Sequence, residues 1–262
     1  MSWPFDTSEP FITPEQVVFA RERLGVTAEE WALPPTLVAT FQRAAYPRLL
    51  ERTGADAQQP NAFSTGAVDG VPVAVVRIGI GAPAAALVLE EAIARGVRTV
   101  LVAGAAGSLQ PHLPTGSTVV VTGAEREDGT SHHYLPAGEV VAADPEITGL
   151  LEEHARARGA EPMRGRSWTI DAPYRETVGA ISRHRRAGVA VVEMEAAAIF
   201  AVARVRGVRA GLIVAVSDEL FGPEWKAAFR HPRYVEALLR AADVAMDVAA
   251  SLGETGVHSK LL

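Results

Sequence analysis

The sequence of 262 residues contains no cysteine, carries a net charge of only −6 and has no long apolar run. Without cysteine, disulfide bonds and thiolate metal sites are excluded. The weak negative charge gives no electrostatic reason to expect nucleic acid or an acidic membrane as partner. The stretch 71–80 is interrupted by Pro72 and Arg77 and is far shorter than the roughly 20 apolar residues of a membrane span. The first residues also lack a signal-peptide pattern, so we expect a soluble, cytoplasmic protein.

Composition divides the chain into an irregular first part and a regular second part. Residues 1–66 carry seven prolines, with helical patterns near 14–24 and 35–52. We interpret this part as an irregular segment packed on the same domain. Residues 67–262 form the main body, which begins with an Asp-Gly hairpin turn at positions 69–70.

Hydrophobic strands and helices alternate through the second part. We predict strands at 61–67, 71–78, 99–103, 117–122, 189–192 and 211–216, and helices at 84–95, 144–158, 195–206 and 232–252. A rhythm of strand, glycine turn, helix and strand is typical of a mostly parallel sheet covered by helices. The predicted fold class is therefore α/β, as a single domain of three layers.

Three of the predicted strand ends carry chemically interesting residues. These segments are Gly104 to Gly107, Glu193 to Glu195, and Ser217 with Asp218. Ligands of α/β sheets bind outside the carboxyl ends of the strands. We therefore expect the three segments to meet in one site.

The segment Val192-Glu193-Met194-Glu195 places two carboxylates and a thioether where a strand becomes a helix. A carboxylate such as Glu195 accepts hydrogen bonds from a vicinal diol, and a thioether such as Met194 packs on the carbon face of a sugar. The structural alternative is that both glutamates only favour the first turn of a helix through its dipole. Spacing alone favours this alternative.

Asp218 follows a buried hydrophobic strand, where desolvation favours the protonated form of an acid and suits it to donate a proton. The structural alternative is a helix N-cap, a position that Ser217 and Asp218 both suit. The glycines at 104–107 allow close approach of a flat ligand, but they form neither a P-loop nor a dinucleotide motif. No cofactor is therefore predicted.

No metal site is predicted either. His132 and His133 are adjacent, and neighbouring side chains of a strand point to opposite faces, so they cannot readily share one ion. A polar loop at a subunit contact is an equally good interpretation of this pair. His-Glu-x-x-His and similar spacings are absent, and Arg183 to Arg186 is interpreted as a solvated face.

Taken in order, these segments resemble the nucleoside phosphorylase family, which includes purine nucleoside phosphorylases, uridine phosphorylases and related nucleosidases. The resemblance covers roughly residues 71–248 and depends mainly on Val192 to Ala196 followed by Val216-Ser217-Asp218. The segments 79–83, 104–112 and 128–131 match as well. The resemblance implies an αβα sandwich around a mixed, strongly twisted sheet, assembled as a homo-oligomer (a dimer, trimer or hexamer).

The resemblance also implies roles for individual residues. Glu193, Met194 and Glu195 would bind the ribose, with Glu195 on its 2′- and 3′-hydroxyls. Asp218 would be the catalytic acid that protonates a purine or purine-like base, an acid that uridine-cleaving members generally lack. The residues implied at the base are Ala106, Gly107, Trp168 and Tyr174.

The sequence departs from the family at the acceptor site, where the phosphorylases have an arginine and a Ser or Thr and this chain has Val102 and Ala105. Arg77, Arg126 and Arg175 are the candidate replacements for binding phosphate. The nominal prediction is phosphorolysis to free base and ribose 1-phosphate. Hydrolysis by water is the first alternative, although the N-terminal glutamate motif of the nucleosidases is also missing. A non-catalytic nucleoside-binding homologue is the alternative from another class.

Overall fold

A computed structural model describes residues 5–17, 31–138 and 140–254 of the chain. The described strands are β1 Thr36–Thr40, β2 Ser64–Val68, β3 Val71–Arg77, β4 Thr99–Ser108, β5 Thr118–Glu127, β6 Val141–Ala142, β7 Met163–Ile170, β8 Val191–Glu193, β9 Arg209–Glu219 and β10 Lys226–Ala227. The helices are α1 Tyr46–Thr53, α2 Ala82–Ala94, α3 Pro145–Ala157, α4 Val178–Arg186, α5 Ala196–Arg206 and α6 Pro232–Glu254, with short 3₁₀ helices at Thr130–His133 and Pro173–Arg175.

These strands form one mixed sheet in the order β10-β9-β5-β7-β8-β4-β1-β3-β2, with β6 beside β5. Strand β4 also pairs with β9, so β9, β5, β7, β8 and β4 close into a ring. Strands β1, β3, β4 and β9 pair in parallel, whereas β8 is antiparallel to β4 and β5 is antiparallel to β9. The ring closure places β8 and β9 on either side of β4, which decides the position of the site described below.

Helices cover both faces of the sheet. One buried cluster lies between the sheet and α2 with α5, and includes Leu89 and Phe200. A second cluster lies between the sheet and α1, α3 and α6, and includes Leu49, Leu151 and Leu238. The predicted three-layer α/β fold is thus confirmed. Within the described residues, no helix has the length and hydropathy to cross a membrane.

The turn between β2 and β3 shows how local sequence fixes one edge of the sheet. Asp69 has φ 50° and Gly70 has φ 81°, the left-handed values that a two-residue type I′ hairpin requires at both positions. The predicted hairpin is confirmed, and β2 is the edge strand.

The helix predicted over 35–52 is wrong in its first part. Thr36–Thr40 is a fully buried parallel strand between β3 and β4, and only Tyr46–Thr53 is helical. The buried environment of a central strand suits its β-branched residues better than a helix does. The segment 1–66 therefore contributes a central strand and is not irregular throughout.

Two predicted strands are longer in the structure, with consequences for the site. Gly104 to Gly107 does not form a turn but continues β4 to Ser108, and Ser217 with Asp218 lies inside β9. The small Gly and Ala side chains let β4 pair closely on both edges, with a register shift between Ala106 and Gly107.

Candidate active site

A cavity of about 720 Å³ opens where β4, β8 and β9 lie side by side. The segments Gly104–Gly107, Val192–Glu195 and Ser217–Asp218 all line it. The three segments that were expected to meet therefore do meet. Glu195 and Asp218 face the same cavity.

The strand pairing explains why these carboxyls converge. Gly107 of β4 pairs with Val192 of β8 on one side and with Asp218 of β9 on the other. A Cβ atom at position 107 would lie 3.0 Å from Oδ2 of Asp218 and 2.4 Å from Cδ1 of Leu220. Gly107 therefore leaves the space that the Asp218 carboxyl occupies.

Glu193 is buried and its carboxyl accepts hydrogen bonds from the protein itself. Oε1 accepts from Thr169 Oγ1 at 2.5 Å, and Oε2 accepts from the backbone N–H groups of Glu195 at 2.7 Å and Ala196 at 2.6 Å. The structural alternative therefore applies to Glu193: its carboxyl accepts hydrogen bonds from backbone N–H groups at the N-terminus of α5 and stabilises that end of the helix. It also lines the cavity beside the half-buried Met194.

Glu195 is held by the segment at the start of α2. Its Oε1 accepts a hydrogen bond from the backbone N–H of Gly81 at 2.7 Å. Gly81 has φ 108°, a left-handed conformation that favours glycine at the start of α2. Burial, with the charge of Glu193 as the second cause, raises the pKa of Glu195 to about 8. The neighbouring Glu193 pKa is also raised, again by burial.

Asp218 accepts a hydrogen bond at each carboxyl oxygen. Oδ1 accepts from the hydroxyl of Ser217 at 2.6 Å, and Oδ2 accepts from the indole N–H of Trp225 at 2.8 Å. Because Asp218 is inside β9, the N-cap alternative for it is wrong. Burial and the Asp218 charge raise the pKa of Tyr234, another lining residue, to about 12.

Two loops complete the wall of the cavity near Asp218. The loop after β7 and the start of α4 contribute Tyr174, Glu176 and Val178, and the loops before and after β10 contribute Trp225 and Phe229. Tyr174 is fully exposed at the mouth of the cavity. Burial, followed by the charge of Asp218, raises the pKa of Glu176 to about 7.

The expectation that Trp168 lies at the base is wrong. Trp168 is fully buried, stacks on His184 with 4.2 Å between ring centroids, and donates its indole N–H to Glu127 at 3.0 Å. Successive side chains of a strand point to opposite faces, and the next residue, Thr169, points to Glu193. Trp168 therefore points away from the cavity. Ala106, Gly107 and Tyr174 do line it.

None of the three predicted phosphate ligands lines the cavity. Arg126 donates to a serine and to carbonyl groups of its own loop. Arg77 ends β3, and Arg175 is exposed on a 3₁₀ helix. Among the described residues, Arg185 is the one cationic side chain in the lining, and it donates to the carbonyl of Phe221 at 3.0 Å.

Two further segments, 132–133 and 183–186, differ from their predicted structure. His132 and His133 lie in a 3₁₀ helix rather than a strand, because the chain turns directly after β5. The segment 183–186 is only partly a solvated face, since His184 is 5% exposed and bonds two glutamates at the end of β5. In the part of the chain that is described, no group of three metal-binding side chains is found.

Sequence reasoning missed several residues of the lining: Phe41, Gln42, Glu176, Arg185, Trp225, Phe229 and Tyr234. Phe41 and Gln42 follow β1, the strand that was predicted as a helix. Trp225 carried a usable signal, because an indole in a polar loop near a candidate acid is a reasonable ligand contact. The others lie in loops or on helices that only tertiary packing brings to the cavity.

Comparisons of the sequence with known proteins identify a family. The sequence model of the Phosphorylase superfamily matches residues 36–250. A uridine phosphorylase of Haemophilus influenzae is 33% identical over 165 residues, which cover 58% of this chain and 66% of that protein. A guanosine phosphorylase of Halorubrum lacusprofundi is 36% identical over 164 residues, with 61% and 66% covered. The match thus spans just under two thirds of the length of these curated relatives.

A solved structure shares the fold. The purine nucleoside phosphorylase from Toxoplasma gondii, in complex with immucillin-H, superposes with a TM-score of 0.77 and covers 85% of this chain and 93% of that one. Its sequence identity is 21%, so this likeness concerns the fold alone.

Proposed function

The chain belongs to the phosphorylase superfamily, and from this premise we propose that it cleaves the N-glycosidic bond of a purine or purine-like nucleoside. The observation that carries the proposal is that Glu195 and Asp218 line one cavity from opposite sides of β4. Cleavage requires contacts to the sugar and to the leaving base at the same time. This cavity meets that requirement, because it offers Glu195 to the sugar and Asp218 to the base.

In this proposal Glu195 binds the 2′- and 3′-hydroxyls of the ribose and Met194 packs on the sugar. The carboxyl of Glu195 is already oriented by the backbone N–H of Gly81, and the start of α5 is fixed by Glu193. The sugar is therefore held in place while positive charge develops on C1′.

Asp218 then acts at the base, between Ala106, Gly107 and the exposed ring of Tyr174. Negative charge builds on the base as the C1′–N bond breaks, and a proton delivered through Asp218 neutralises it. The guanosine phosphorylase among the relatives supports a purine, as does the presence of this acid.

We propose phosphate as the acceptor, which gives free base and ribose 1-phosphate, because the relatives named above are phosphorylases. A homo-oligomer belongs to the same proposal, and sedimentation analysis tests it directly.

Hydrolysis is the second candidate function, and the charge of the lining favours it. Among the described residues, the lining has five carboxyls and one guanidinium: Glu176, Glu193, Glu195, Asp218, Glu224 and Arg185. Phosphate dianion requires paired cations and donors, and the side chains of Val102 and Ala105 supply neither. Water has no such requirement.

Base release from guanosine and inosine distinguishes these functions. The assay starts in phosphate-free buffer, and phosphate is then added. Phosphorolysis predicts that release depends on phosphate and yields ribose 1-phosphate, whereas equal rates with ribose as product assign water as the acceptor. No release under either condition, together with calorimetric binding of the nucleoside, would identify a non-catalytic nucleoside-binding homologue.

A further inference from the structure

Three large apolar side chains are exposed at the mouth of the cavity. Tyr174 lies in the segment after β7, Val178 begins α4, and Trp225 comes directly before β10. Tyr174 is fully exposed, Val178 is 86% exposed and Trp225 is 61% exposed. Exposed apolar side chains that gather in one place mark a binding surface, whereas single ones do not. We call these three residues the apolar rim.

One member of the apolar rim contacts Asp218, the residue proposed to act on the base. The indole N–H of Trp225 donates to Oδ2 of Asp218 at 2.8 Å. The ring of Phe229 packs near that indole, with 6.0 Å between the ring centroids. A Cβ atom at Gly107 would lie 3.0 Å from the same carboxyl oxygen and 2.4 Å from Cδ1 of Leu220. Leu220 is therefore a further apolar neighbour of this carboxyl.

Tyr174 and Val178 also lie near Asp218. Glu176 lies between them in the sequence, and after burial the charge of Asp218 is the second cause that raises the pKa of Glu176 to about 7. Exposed charges act on each other only weakly beyond about 10 Å at an ionic strength of about 0.1 M. The whole apolar rim thus borders the part of the cavity in which Asp218 would meet the base.

The exposed charged side chains at the mouth do not require a partner on the ligand. Arg185 and Glu224 are exposed to water, and Arg185 also donates to the carbonyl of Phe221. The apolar rim differs, because contact with water is unfavourable for apolar surface. A ligand group that covers the rim removes this surface from water, which favours binding.

The edge of a purine decides which ligand group meets the apolar rim. N7 and the group at position 6 lie side by side on one edge of the base. N7 belongs to the same five-membered ring as N9, the nitrogen that leaves the sugar, so a proton at N7 neutralises the charge of departure. In the proposed reaction Asp218 therefore faces N7. The group at position 6 then lies beside Asp218, where the apolar rim and Leu220 line the cavity.

We propose that the apolar rim binds a substituent at position 6 of the base, and that the preferred substrates are purine nucleosides in which this substituent is apolar. The inference rests on the proposed cleavage of a purine nucleoside and names the class of base. The cavity has room for such a group, because its volume of about 720 Å³ lies within the roughly 300 to 1,000 Å³ of pockets that hold drug-sized ligands.

The test compares the ribosides of 6-(methylamino)purine and 6-(benzylamino)purine, which differ by one phenyl ring at the end of the substituent. We expect the wild-type kcat/KM to be about 10- to 100-fold higher on the benzyl compound, the effect of burying an apolar group of this size. In Tyr174→Ser this ratio is expected to fall about 10-fold. The matched control is Phe11→Ser, at an aromatic residue that is 95% exposed outside the cavity lining, with the wild-type ratio.

Both ribosides are measured on the same preparation, so the ratio does not depend on the fraction of folded protein. Equal kcat/KM for the two compounds in the wild type would overturn the inference, and so would a wild-type ratio in Tyr174→Ser. If any purine nucleoside is cleaved without this preference, the proposed function stands and the inference alone fails.

Calorimetry gives a readout that is independent of turnover. If the wild-type protein cleaves no nucleoside, the proposed function fails, and the affinities for the two ribosides still test the apolar rim. Binding of the benzyl compound about 10-fold or more tighter than of the methyl compound supports an apolar subsite at position 6. Equal or absent binding of the two compounds overturns it.

Discussion

The cavity has two halves that are built in different ways. In the half proposed to bind the sugar (the ribose half), Glu193 and Glu195 accept hydrogen bonds from backbone N–H groups at the starts of two helices. In the half proposed to bind the base (the base half), Asp218 accepts hydrogen bonds from two side chains, and one of them, Trp225, is 61% exposed on a loop. The ribose half is fixed by the main chain of regular elements, and the base half depends on loop side chains.

This difference matches what the proposed cleavage of nucleosides requires. The ribose is common to all nucleosides, so a site held by sheet and helix ends serves every substrate of that class. The base varies, and loops change sequence more readily than the elements that they connect. We therefore expect substitutions in the ribose half to affect stability and all substrates, and those in the base half to affect selectivity and proton transfer.

The largest effect on activity is expected for Glu195→Ala. Above about pH 8, where Glu195 is ionised, two hydrogen bonds from the sugar hydroxyls to a charged acceptor are lost, at about 1.5 to 3 kcal/mol each, so kcat/KM falls about 100- to 10,000-fold on every nucleoside cleaved. Steady-state kinetics on at least two nucleosides measure the loss. Glu161→Ala, at an exposed position after α3, is the control. Kinetics close to wild type would contradict the ribose-binding role.

Glu193→Ala tests the structural part of the ribose half. The hydroxyl of Thr169 and two backbone N–H groups at the start of α5 lose their acceptor, so the free energy of unfolding falls by about 2 to 4 kcal/mol. Urea denaturation measures it. Glu193→Gln keeps one acceptor oxygen, and its free energy of unfolding is expected to fall by less. A variant as stable as wild type would show that water replaces the carboxylate at no cost.

The pH dependence of stability tests the raised pKa of Glu195. An acid with a folded-state pKa of about 8 and an unfolded value of 4.5 keeps its proton in the folded protein after the unfolded chain has lost it. Stability therefore decreases as the pH rises from about 5 to 8. Relative to Glu195→Gln, whose side chain does not titrate, wild type should lose on the order of 1 to 4 kcal/mol over this range. Parallel curves of unfolding free energy against pH for the two proteins would refute the raised pKa of Glu195.

The smallest effect is expected for Trp225→Phe in the base half. The ring remains, but the N–H donor that orients the Asp218 carboxyl is lost. We expect kcat to change only about 3- to 10-fold, because a partly exposed hydrogen bond contributes about 1 kcal/mol. Phe229→Leu disturbs the packing on the Trp225 ring, whose centroid lies 6.0 Å from that of Phe229, but keeps the indole N–H and should leave kcat close to wild type. A wild-type kcat in Trp225→Phe would remove the indole from the mechanism.

Structural features that depend on neighbouring residues in the chain were predictable from the sequence. The Asp69-Gly70 hairpin follows from the residues that tolerate left-handed φ, and the helix after Asp144 follows from its N-cap, which accepts from Ile147. The segment ending in Glu195 was identified through its resemblance to the nucleoside phosphorylase family, because spacing alone favoured a purely structural role for both glutamates. Thr36–Thr40 was misread because its five residues suit a helix or a strand, and only their burial between two neighbouring strands selects the strand.

The sequence by itself determined the α/β class and most element positions, because these depend on periodicity and on residue type, and its family resemblance identified the carboxyls at 195 and 218 as candidates. Only the tertiary structure decided that β4 pairs with both β8 and β9, that Trp168 faces His184 instead of the cavity, and that Glu176 and Trp225 lie with Asp218. Contacts between residues far apart in the chain depend on sheet order and register, which no local pattern encodes.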